Sequence, residues 1–531
     1  MDVIIQTNID KYSVFGVNYF LSKYGFFPEN VEEKLHLIII RNNDNTQPDG
    51  QIKGWVEFEG IRLPVLLPPS RISDQGAPLL TYTNGEVEYP CAIITDSNII
   101  ISLDVFRHLG FFLSGHLEKT WALIQEEKKD IIEVPFVDYY CDFLLSCLQI
   151  IHNKQNIPII HKAFWPDGKS CAVCLTHDVD EVKKTYQWIT YPLKLILKGN
   201  FGIIIPQYRS FIQKLRGHEP YWTFDEIIQM EGSRGVRSSF YFLKETGKIL
   251  LFDRKTWHHY GRRYDFNDKP IRKLLQDLYS REWEIGLHGS FYSYLDPEKL
   301  HIEKEALELS LGMSVTGSRQ HNLNLKIPNT WLYQESAGLF YDTTLGYNDC
   351  LGFRWGISFP FRPFYAKDNR SINILQIPLA IEDLPYFRCQ HPWNEFLIIF
   401  NHIKVTHGVL TLLWHQTVFN ENEYPGWARE YEQIIDYCKN HNAWIGSTKQ
   451  IYEWWTRREK TTIDWNFDGT FLKISPVPKE QEHFIKIYLP DSLKIKEVHN
   501  ATIIRCDQKE CEIKTDILQK EEVIEITFSR V

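Results

Sequence analysis

The sequence has no uninterrupted apolar run of the roughly 18 to 20 residues that a helix needs to cross a bilayer. Its opening stretch, MDVIIQTNIDKYSVF, also lacks the basic start, the long apolar core and the small-residue cleavage site of an export signal. These absences predict a cytoplasmic protein without a transmembrane segment.

The sequence also lacks the clustered cysteines of a secreted disulfide scaffold. Its ten cysteines are scattered over 531 residues, a distribution that does not indicate a disulfide framework. Cys171 and Cys174 form a CxxC pair inside an apolar run that predicts a strand. Because residues three apart on a strand point to opposite faces, we expect these side chains to pack in the core rather than to share a metal.

The chain has no excess of positive charge. It contains 59 Lys and Arg against 68 Asp and Glu, a formal net charge of −9, which predicts that nucleic acid is not a partner. Apolar residues make up 43% and aromatic residues 14% of the chain, as expected for a folded protein with many large rings to bury. A length of 531 residues predicts two or three domains.

The first two regions of the chain differ in their patterns. Residues 1–150 mix short apolar stretches with turn-rich segments and predict a small α/β accessory domain, in which a helix near 137–154 leads to the next domain. Residues 160–458 alternate strand-like and helix-like runs. That alternation predicts parallel strands joined by crossover helices, arranged as a barrel or as an open sheet.

The third region, residues 461–531, has the pattern of half-buried antiparallel strands. Ile524, Ile526 and Phe528 alternate with polar residues, so that one face of the strand is apolar. We expect a small β-sandwich-like domain without chemistry of its own.

One segment inside the second region is unusually apolar. Residues 186–217, YQWITYPLKLILKGNFGIIIPQYRSFIQKLRG, combine long apolar stretches with basic residues. One interpretation is an interfacial helix pair that contacts a membrane surface. The other is a helical insertion that covers the site or packs on the strand region. The second interpretation is favoured, because many soluble domains contain such helices.

The run CAVCLTHDVDEV, residues 171–182, is an apolar strand that ends in two aspartates. Period-two geometry places Asp178 and Asp180 on one face and His177 and Val179 on the other. Two carboxylates this close repel each other, so the arrangement is favourable where a cation lies beside them. An isolated Asp-x-Asp is more simply explained as a solvated strand end or a helix N-cap.

Three further strand ends carry side chains of the same kind. EIGLHGS ends in His288, GSRQH supplies Arg319 and His321, and GVLTLLWHQ ends in His415. The carboxyl ends of parallel strands form the sites of α/β proteins. A single histidine of this kind is more often structural, but three histidines and two aspartates at strand ends predict a common site.

Residues 165–456 resemble a polysaccharide deacetylase of the NodB-homology type, the carbohydrate esterases of family four. That family's first motif is Thr-Phe-Asp-Asp-Gly, and Thr176 to Asp180 occupy it here as Thr-His-Asp-Val-Asp. The resemblance implies a distorted (β/α) barrel of the NodB type, with an N-terminal α/β domain and a small C-terminal β-sandwich. It also implies that Asp178 is the catalytic base and that Asp180 binds metal. The combination with an N-terminal α/β domain resembles a bacterial subgroup of these proteins.

The second motif of the family, His-Ser/Thr-x-x-His, is incomplete in this sequence. His288 matches its first histidine, but Tyr292 stands where the second metal-binding histidine is expected. Hydrolytic zinc sites generally have three protein ligands and leave one position for water. His321 is the nearest candidate for the missing ligand, so the implied metal site is Asp180, His288 and His321, holding Zn²⁺ or another divalent transition metal.

The remaining motifs imply roles for three further residues. Arg319 stands where the family has an arginine that orients the base. His415 lies in the last motif, Leu-x-His, whose histidine is the general acid, and Asp383 is a candidate carboxylate to orient it. The implied activity is the metal-dependent removal of N-acetyl, or less readily O-acetyl, groups from a sugar or polysaccharide precursor.

Two alternatives come from other classes of protein. Asp178-Val-Asp180 could hold Mn²⁺ and a nucleotide sugar in a glycosyltransferase, although no Gly-rich phosphate loop precedes it. The same fold could instead serve as an inactive carbohydrate-binding or scaffold protein, which the absent second histidine favours.

Overall fold

A computed structural model describes residues 5–6, 10–25, 38–40, 48–73, 75–95, 98–118, 131–197, 202, 204–245, 262, 264–515, 517–519 and 522–530. Within these residues the chain forms a mixed N-terminal sheet, a parallel sheet and two small C-terminal sheets, with one isolated hairpin. No helix in this part of the chain combines the length and the apolar character needed to span a membrane.

In the described residues, the N-terminal region contains a seven-stranded mixed sheet and three helices. The strands are β1 Ile5–Gln6, β2 Ile38–Ile40, β3 Gly54–Phe58, β4 Ile61–Val65, β5 Ala77–Thr83, β6 Glu88–Ile94 and β7 Ile99–Ile101, in the order β1-β2-β7-β6-β5-β3-β4. The helices are α1 Lys11–Tyr24, α2 Val105–Phe112 and α3 Phe136–Gln155. Helices α1 and α2 cross in close contact at Gly16. The contact requires glycine, because a Cβ at this position would stand 1.9 Å from the carbonyl oxygen of Phe106.

The parallel sheet forms the centre of the molecule. Its strands are β9 Cys171–Val179, β10 Ser239–Leu243, β11 Glu284–Gly289, β12 Gly317–Gln320, β13 Tyr341–Asp342, β16 Leu375–Gln376, β17 Ile381–Glu382, β18 Val409–Leu413 and β19 Ala443–Gly446. Strand β8 Ile159–Lys162 precedes this sheet and is not part of it. Strands β14 Phe364–Tyr365 and β15 Arg370–Ser371 form the separate hairpin. The order is β16-β13-β12-β11-β10-β9-β18-β17, with β19 beside the first half of β9. All nine residues of β9 are buried, as expected for a central parallel strand covered on both faces.

Helices cover the outside of this sheet. They are α4 Gln187–Leu197, α5 Ile204–Leu215, α6 Phe224–Ser233, α7 Lys269–Ser280, α8 Pro297–Leu311, α9 Asn329–Ser336, α10 Asp383–Tyr386, α11 Pro392–Thr406, α12 Trp427–Asn440 and α13 Thr448–Lys460. Helix α8 illustrates their local signals: Asp296 caps its first turn by accepting from the Lys299 amide, and Gly312 ends it in the left-handed conformation.

Chain connectivity shows that the sheet is curled into a distorted barrel. Strands β16 and β17 lie at opposite ends of the hydrogen-bonded order, yet only residues 377–380 separate them. Four linking residues span at most about 18 Å, whereas the edges of a flat eight-stranded sheet lie about 34 Å apart. The predicted fold class, an α/β protein with a distorted (β/α) barrel, is confirmed.

Two details differ from the sequence prediction. The run INILQIPLAIED, residues 372–383, has the apolar pattern of a single strand but forms two, because the chain leaves one edge of the sheet at Gln376 and joins the other at Ile381. Strand β8, inside the range assigned to the barrel, pairs with β22 of the C-terminal region.

The C-terminal region consists of two four-stranded antiparallel sheets. Its strands are β20 Thr462–Phe467, β21 Phe471–Val477, β22 His483–Tyr488, β23 Leu493–His499, β24 Thr502–Cys506, β25 Glu510–Thr515 and β26 Ile524–Arg530. The sheet orders are β20-β21-β26-β23 and β24-β25-β22-β8. Their inner faces share an apolar core that includes Ile474, Ile485, Ile513 and Ile526.

Candidate active site

The carboxyl end of β9 points Asp178 into the barrel, where an arginine holds it. Arg319 Nη1 donates to Asp178 Oδ1 at 2.9 Å and to Thr176 Oγ1 at 2.8 Å. Strands β10 and β11 separate β9 from β12, which carries Arg319, so this contact crosses the interior of the curled sheet. Burial lowers the pKa of Arg319, but the Asp178 carboxylate outweighs burial and raises it, so the guanidinium stays charged beside its partner.

Asp180, His288 and His321 converge on one point next to this pair. His288 Nε2 lies 3.2 Å from Asp180 Oδ1, and His321 Nε2 lies 3.7 Å from Asp180 Oδ2. One ligand atom from each of the three residues lies within 4.8 Å of the others. Neighbouring ligand atoms that bind one metal at about 2.0–2.2 Å are themselves about 3.0–3.6 Å apart. The spacing of these side chains therefore fits a single divalent cation.

The hydrogen bonds of His288 give an independent test of that fit. Its Nδ1 lies 3.0 Å from the carbonyl oxygen of Arg319, which only accepts, so Nδ1 carries a hydrogen. In the neutral ring, Nε2 then presents a lone pair to two carboxylates, Asp180 at 3.2 Å and Asp178 at 3.5 Å. Asp180 Oδ1 is a buried atom without a hydrogen bond. Two hydrogen-bond acceptors this close to each other need a proton or a metal ion between them. A histidine that binds a metal through Nε2 usually donates its Nδ1–H to a fixed partner, as His288 does.

The charges of the site shift the pKa values of these groups. Burial raises the pKa of Asp180, but the rings of His321 and His288 outweigh burial and hold it well below its usual range. Burial lowers the pKa of His288, and the carboxylates of Asp178 and Asp180 outweigh that effect and raise it. Each shift favours the charged form. Asp180 is therefore ionised, as a metal ligand requires, whereas His288 has to give up its Nε2 proton when a metal binds.

Tyr292, at the position of the family's second histidine, does not join this group. Strand β11 ends at Gly289, and the chain then turns into a short 3₁₀ helix at Ser293–Leu295. The Tyr292 side chain is 47% exposed, and its ring lies 5.7 Å from Lys299 Nζ. Among the described histidines, cysteines and carboxylates, His321 is the residue that lies at ligand spacing from Asp180 and His288.

His415 and Asp383 form a second pair at the ends of β18 and β17. The His415 amide donates to Asp383 Oδ2 at 2.6 Å, and His415 Nδ1 lies 3.1 Å from both oxygens of that carboxylate. Burial lowers the pKa of His415, but Asp383 outweighs burial and raises it to about 10. The side chain keeps 17% of its surface exposed, so a protonated imidazole faces the site.

Sequence reasoning missed two residues at the site. Glu382 lies beside Asp383 and His415, and burial raises its pKa to about 8. The sequence held a signal for Glu382, because Glu382 and Asp383 stand together at the end of β17 much as Asp178 and Asp180 stand at the end of β9. Arg262 Nη2 approaches Asp180 Oδ2 at 4.0 Å from a distant segment of the chain, and no local pattern marked it.

A buried network behind β9 fixes the backbone that carries these side chains. Glu231, on α6, accepts from His177 at 2.9 Å, Ser238 at 2.8 Å, Trp283 at 2.6 Å and Tyr431 at 2.9 Å. The other nitrogen of His177 lies 2.6 Å from the Trp414 carbonyl oxygen. Because His177 precedes Asp178 and Trp414 precedes His415, this network holds both reactive strand ends in place.

Replacing Glu231 by alanine is expected to lower the free energy of unfolding by about 3–5 kcal/mol, because four buried donors lose their acceptor. Urea denaturation followed by circular dichroism measures the change. Glu226→Ala is the matched control, since Glu226 lies exposed on the same helix. Equal midpoints for the two variants would contradict the structural role of the network.

Searches against known proteins gave matches to solved structures. No protein-family model matches the chain, and no curated protein matches it. A protein from Mycobacterium smegmatis with a provisional assignment as a polysaccharide deacetylase has 17% sequence identity and a TM-score of 0.37, over 56% of this chain and 94% of that one. The allantoinase Puue has 14% identity and a TM-score of 0.37, over 56% and 93%. A CE4 family pseudoenzyme from Bacillus anthracis has 9% identity and a TM-score of 0.28, over 54% and 66%.

These matches agree with the predicted resemblance to polysaccharide deacetylases at the level of fold. The names of the three proteins cover a deacetylase, an allantoinase and a pseudoenzyme, so the similarity does not distinguish one activity from another. With every TM-score below 0.5, the case for an activity depends on the side chains of the site itself.

Proposed function

We propose that this protein is a metal-dependent hydrolase that removes an N-acetyl, or less readily an O-acetyl, group from a sugar or a polysaccharide precursor. One observation carries the proposal: Asp180, His288 and His321 converge at metal-ligand spacing beside an arginine-held aspartate and an aspartate-held histidine. Two aspartates and three histidines of these kinds supply a cation site, a base and an acid at the carboxyl ends of the strands.

The metal site would consist of Asp180, His288 and His321, with Zn²⁺ or another divalent transition metal as the ion. Two imidazoles and one carboxylate are a ligand set that suits zinc and similar ions. When bound by these residues, such a metal would polarise an acyl carbonyl and would lower the pKa of a bound water towards about 7.

Asp178 is the proposed general base. Its Oδ1 is occupied by Arg319, which fixes the orientation of the carboxylate and leaves Oδ2 on the side of His288. In the reaction Asp178 takes a proton from water as the water oxygen bonds to the acyl carbon. The amides of Ser290 and Phe291 already donate to Glu303 and Glu245, so these two groups are not free to bind the oxyanion.

His415 is the proposed general acid. As the bond between the acyl carbon and the sugar nitrogen breaks, its imidazolium gives a proton to the departing amine. The products are acetate and a free amino sugar, and the proton held by Asp178 returns to solvent. Asp383 acts as a positioning residue, because it contacts the ring and backbone of His415 rather than substrate.

The proposed substrate is an acetylated sugar. The proposal is tested with the full chain loaded in turn with Zn²⁺, Co²⁺ and Mn²⁺, by measuring metal content and acetate release from N-acetylated amino sugars and O-acetylated sugars. One bound metal per chain with stoichiometric acetate and amine supports the proposal. A protein that binds no divalent metal at micromolar concentrations contradicts it.

A non-catalytic carbohydrate-binding or scaffold role is the second candidate. It is favoured by the exposed Tyr292 at the position of a metal ligand, and by His288, which as an imidazolium could bridge Asp178 and Asp180 without a metal. Sugar binding without acetate release would support this role. A glycosyltransferase is disfavoured, because Asp178 is engaged by Arg319 rather than open to a shared metal.

Asp383→Asn is expected to move the alkaline limb of the pH–activity profile to lower pH by at least about one unit. Burial lowers the pKa of His415, but the carboxylates of Asp383, Asp180 and Asp178 together raise it to about 10, so the acid keeps its proton below that pH, and the charge of Asp383 is the largest of the three. Without that charge, the ring loses its proton at lower pH. The measurement is kcat against pH, with the acidic limb as an internal control. An unchanged alkaline limb would exclude His415 as the acid that is titrated.

A further inference from the structure

The segment between Glu181 and Glu219 has a charge unlike that of the rest of the chain. Residues 182–218 contain seven lysines and arginines and neither aspartate nor glutamate, whereas the whole protein has a net charge of −9. This segment includes α4 and α5, which contact each other through Trp188 and Phe211 at a ring distance of 6.1 Å. Two of the seven are paired, Lys184 with Glu423 and Lys214 with Glu219, so the surface of the segment is basic through its other residues, including the exposed Lys183, Arg209 and Arg216.

The same two helices expose large apolar side chains. Seven of the 22 exposed large hydrophobic residues in the described part of the chain lie here: Ile189, Leu193, Leu197, Ile205, Tyr208, Phe211 and Leu215. Their spacing on α4, at positions 189, 193 and 197, places them on one helical face. Ile189 is 73%, Leu197 is 78% and Leu215 is 67% exposed, so these side chains are not covered by the protein's own core.

Helix α5 is oriented with its polar side inward. Among the described side chains of this helix, Gln207 and Ser210 are buried, while Ile205, Tyr208, Phe211 and Leu215 point out. The orientation is fixed by Lys184, a buried side chain that donates to Gln207 Oε1 at 2.6 Å and pairs with Glu423 Oε1 at 2.6 Å. Gln213 adds a contact, accepting from Asn422 at 3.1 Å. The outward apolar face is thus a fixed feature of the fold rather than loosely packed core.

We propose that α4 and α5 form a docking surface for an anionic phospholipid bilayer. Exposed apolar side chains that insert at the interface and basic residues that attract acidic headgroups are the two components of peripheral membrane binding. Arg209, Lys214 and Arg216 are exposed at the α5 end of the surface, where they complement acidic lipid. A neutral apolar partner would leave this concentration of positive charge without a counterpart.

The docking surface adjoins the candidate active site. Helix α4 begins seven residues after Asp180, and Gln187 in its first turn donates to Glu181. Binding to a bilayer would therefore bring the rim of the site close to the lipid headgroups. Binding to the bilayer does not depend on hydrolytic activity, and it is a property additional to the proposed function.

Sedimentation of the full-length protein with lipid vesicles tests the proposal. Vesicles of equal parts phosphatidylcholine and phosphatidylglycerol are expected to bind at least about tenfold more tightly than phosphatidylcholine alone, with binding weakened by salt. A variant with Ile189→Ser, Leu197→Ser and Leu215→Ser is expected to lose at least about tenfold in affinity, as is Arg209→Gln with Arg216→Gln.

Matched substitutions control for a general effect on the surface. Ile302→Ser, Leu309→Ser and Ile517→Ser change equally exposed apolar residues elsewhere and are expected to leave vesicle binding unchanged, as is Arg429→Gln with Lys496→Gln. Circular dichroism confirms that every variant is folded. The proposal is overturned if the wild-type protein does not bind acidic vesicles, or if the two variant sets behave alike. It is also overturned if analytical ultracentrifugation shows that the α4–α5 residues instead hold two copies of the chain together.

Discussion

Asp180→Ala is expected to remove the divalent metal from the purified protein and to lower hydrolysis of an acetylated amino sugar by about a thousandfold or more. Asp180 is the one anionic side chain between His288 and His321, at 3.2 Å and 3.7 Å from their Nε2 atoms. Two neutral imidazoles alone hold a divalent ion weakly, because hydrolytic sites generally need three protein ligands. Elemental analysis of the protein gives the metal content, and acetate release gives the rate.

A comparison of His321→Ala with Tyr292→Phe identifies the third ligand. We expect the first change to weaken metal binding strongly and the second to leave it unchanged, since Tyr292 is half exposed and directed at Lys299. Competition with a chromogenic chelator measures both affinities. The opposite result would assign the third ligand to the tyrosine and would remove His321 from the site.

Asp178→Asn is expected to keep the metal and to slow turnover by about a hundred- to ten-thousandfold, the range of a general base. The substitution preserves the shape of the side chain and an oxygen that can accept from Arg319, but it removes the site that takes the proton of water. Metal content and kcat are measured on one preparation. A variant that loses its metal would make Asp178 a ligand, and one with undiminished kcat would place the base elsewhere.

The contrast between the two aspartates also separates the catalytic and scaffold hypotheses. In an active hydrolase, Asp180→Ala and Asp178→Asn both lose turnover but differ in metal content. In an inactive protein, neither change alters a rate, and only sugar binding can respond.

Much of the site was predictable because β9 is a regular strand. Its residues alternate between the two faces, so the sequence alone placed Asp178 and Asp180 together and His177 behind them, as the structure has them. Long apolar runs likewise predicted the strands that end at His288 and His415, since a buried parallel strand needs an apolar side chain at almost every position.

Other parts could not be predicted from local patterns. Strand β12, Gly317–Gln320, is four residues long and mostly polar, so its place in the sheet follows from its neighbours rather than from its own sequence. The fold brings Arg262 close to Asp180, and no pattern in the sequence shows that these two residues are neighbours. The departure at Tyr292 follows from the turn after β11, which carries the fourth residue beyond His288 out of the cavity.

The segment at 186–217 illustrates a different limit. Its composition allows both a membrane-contacting helix pair and a packed insertion, because an apolar residue is compatible with a core and with a lipid surface alike. Only the orientation of α5, with Gln207 and Ser210 turned inward, distinguishes the two. That orientation depends on Lys184 and Glu423, which are 239 positions apart.

The pairing of β8 with β22 has a consequence for how the chain is made. Strand β8 leaves the ribosome early, but the strand with which it pairs, β22 His483–Tyr488, lies more than 300 positions later in the chain. Until then Ile160, which packs in the core shared with β22, remains exposed on a nascent polypeptide that already carries most of the barrel. Truncation before the last sheets would leave the same edge open to intermolecular pairing, so shortened forms of this protein are expected to aggregate when expressed.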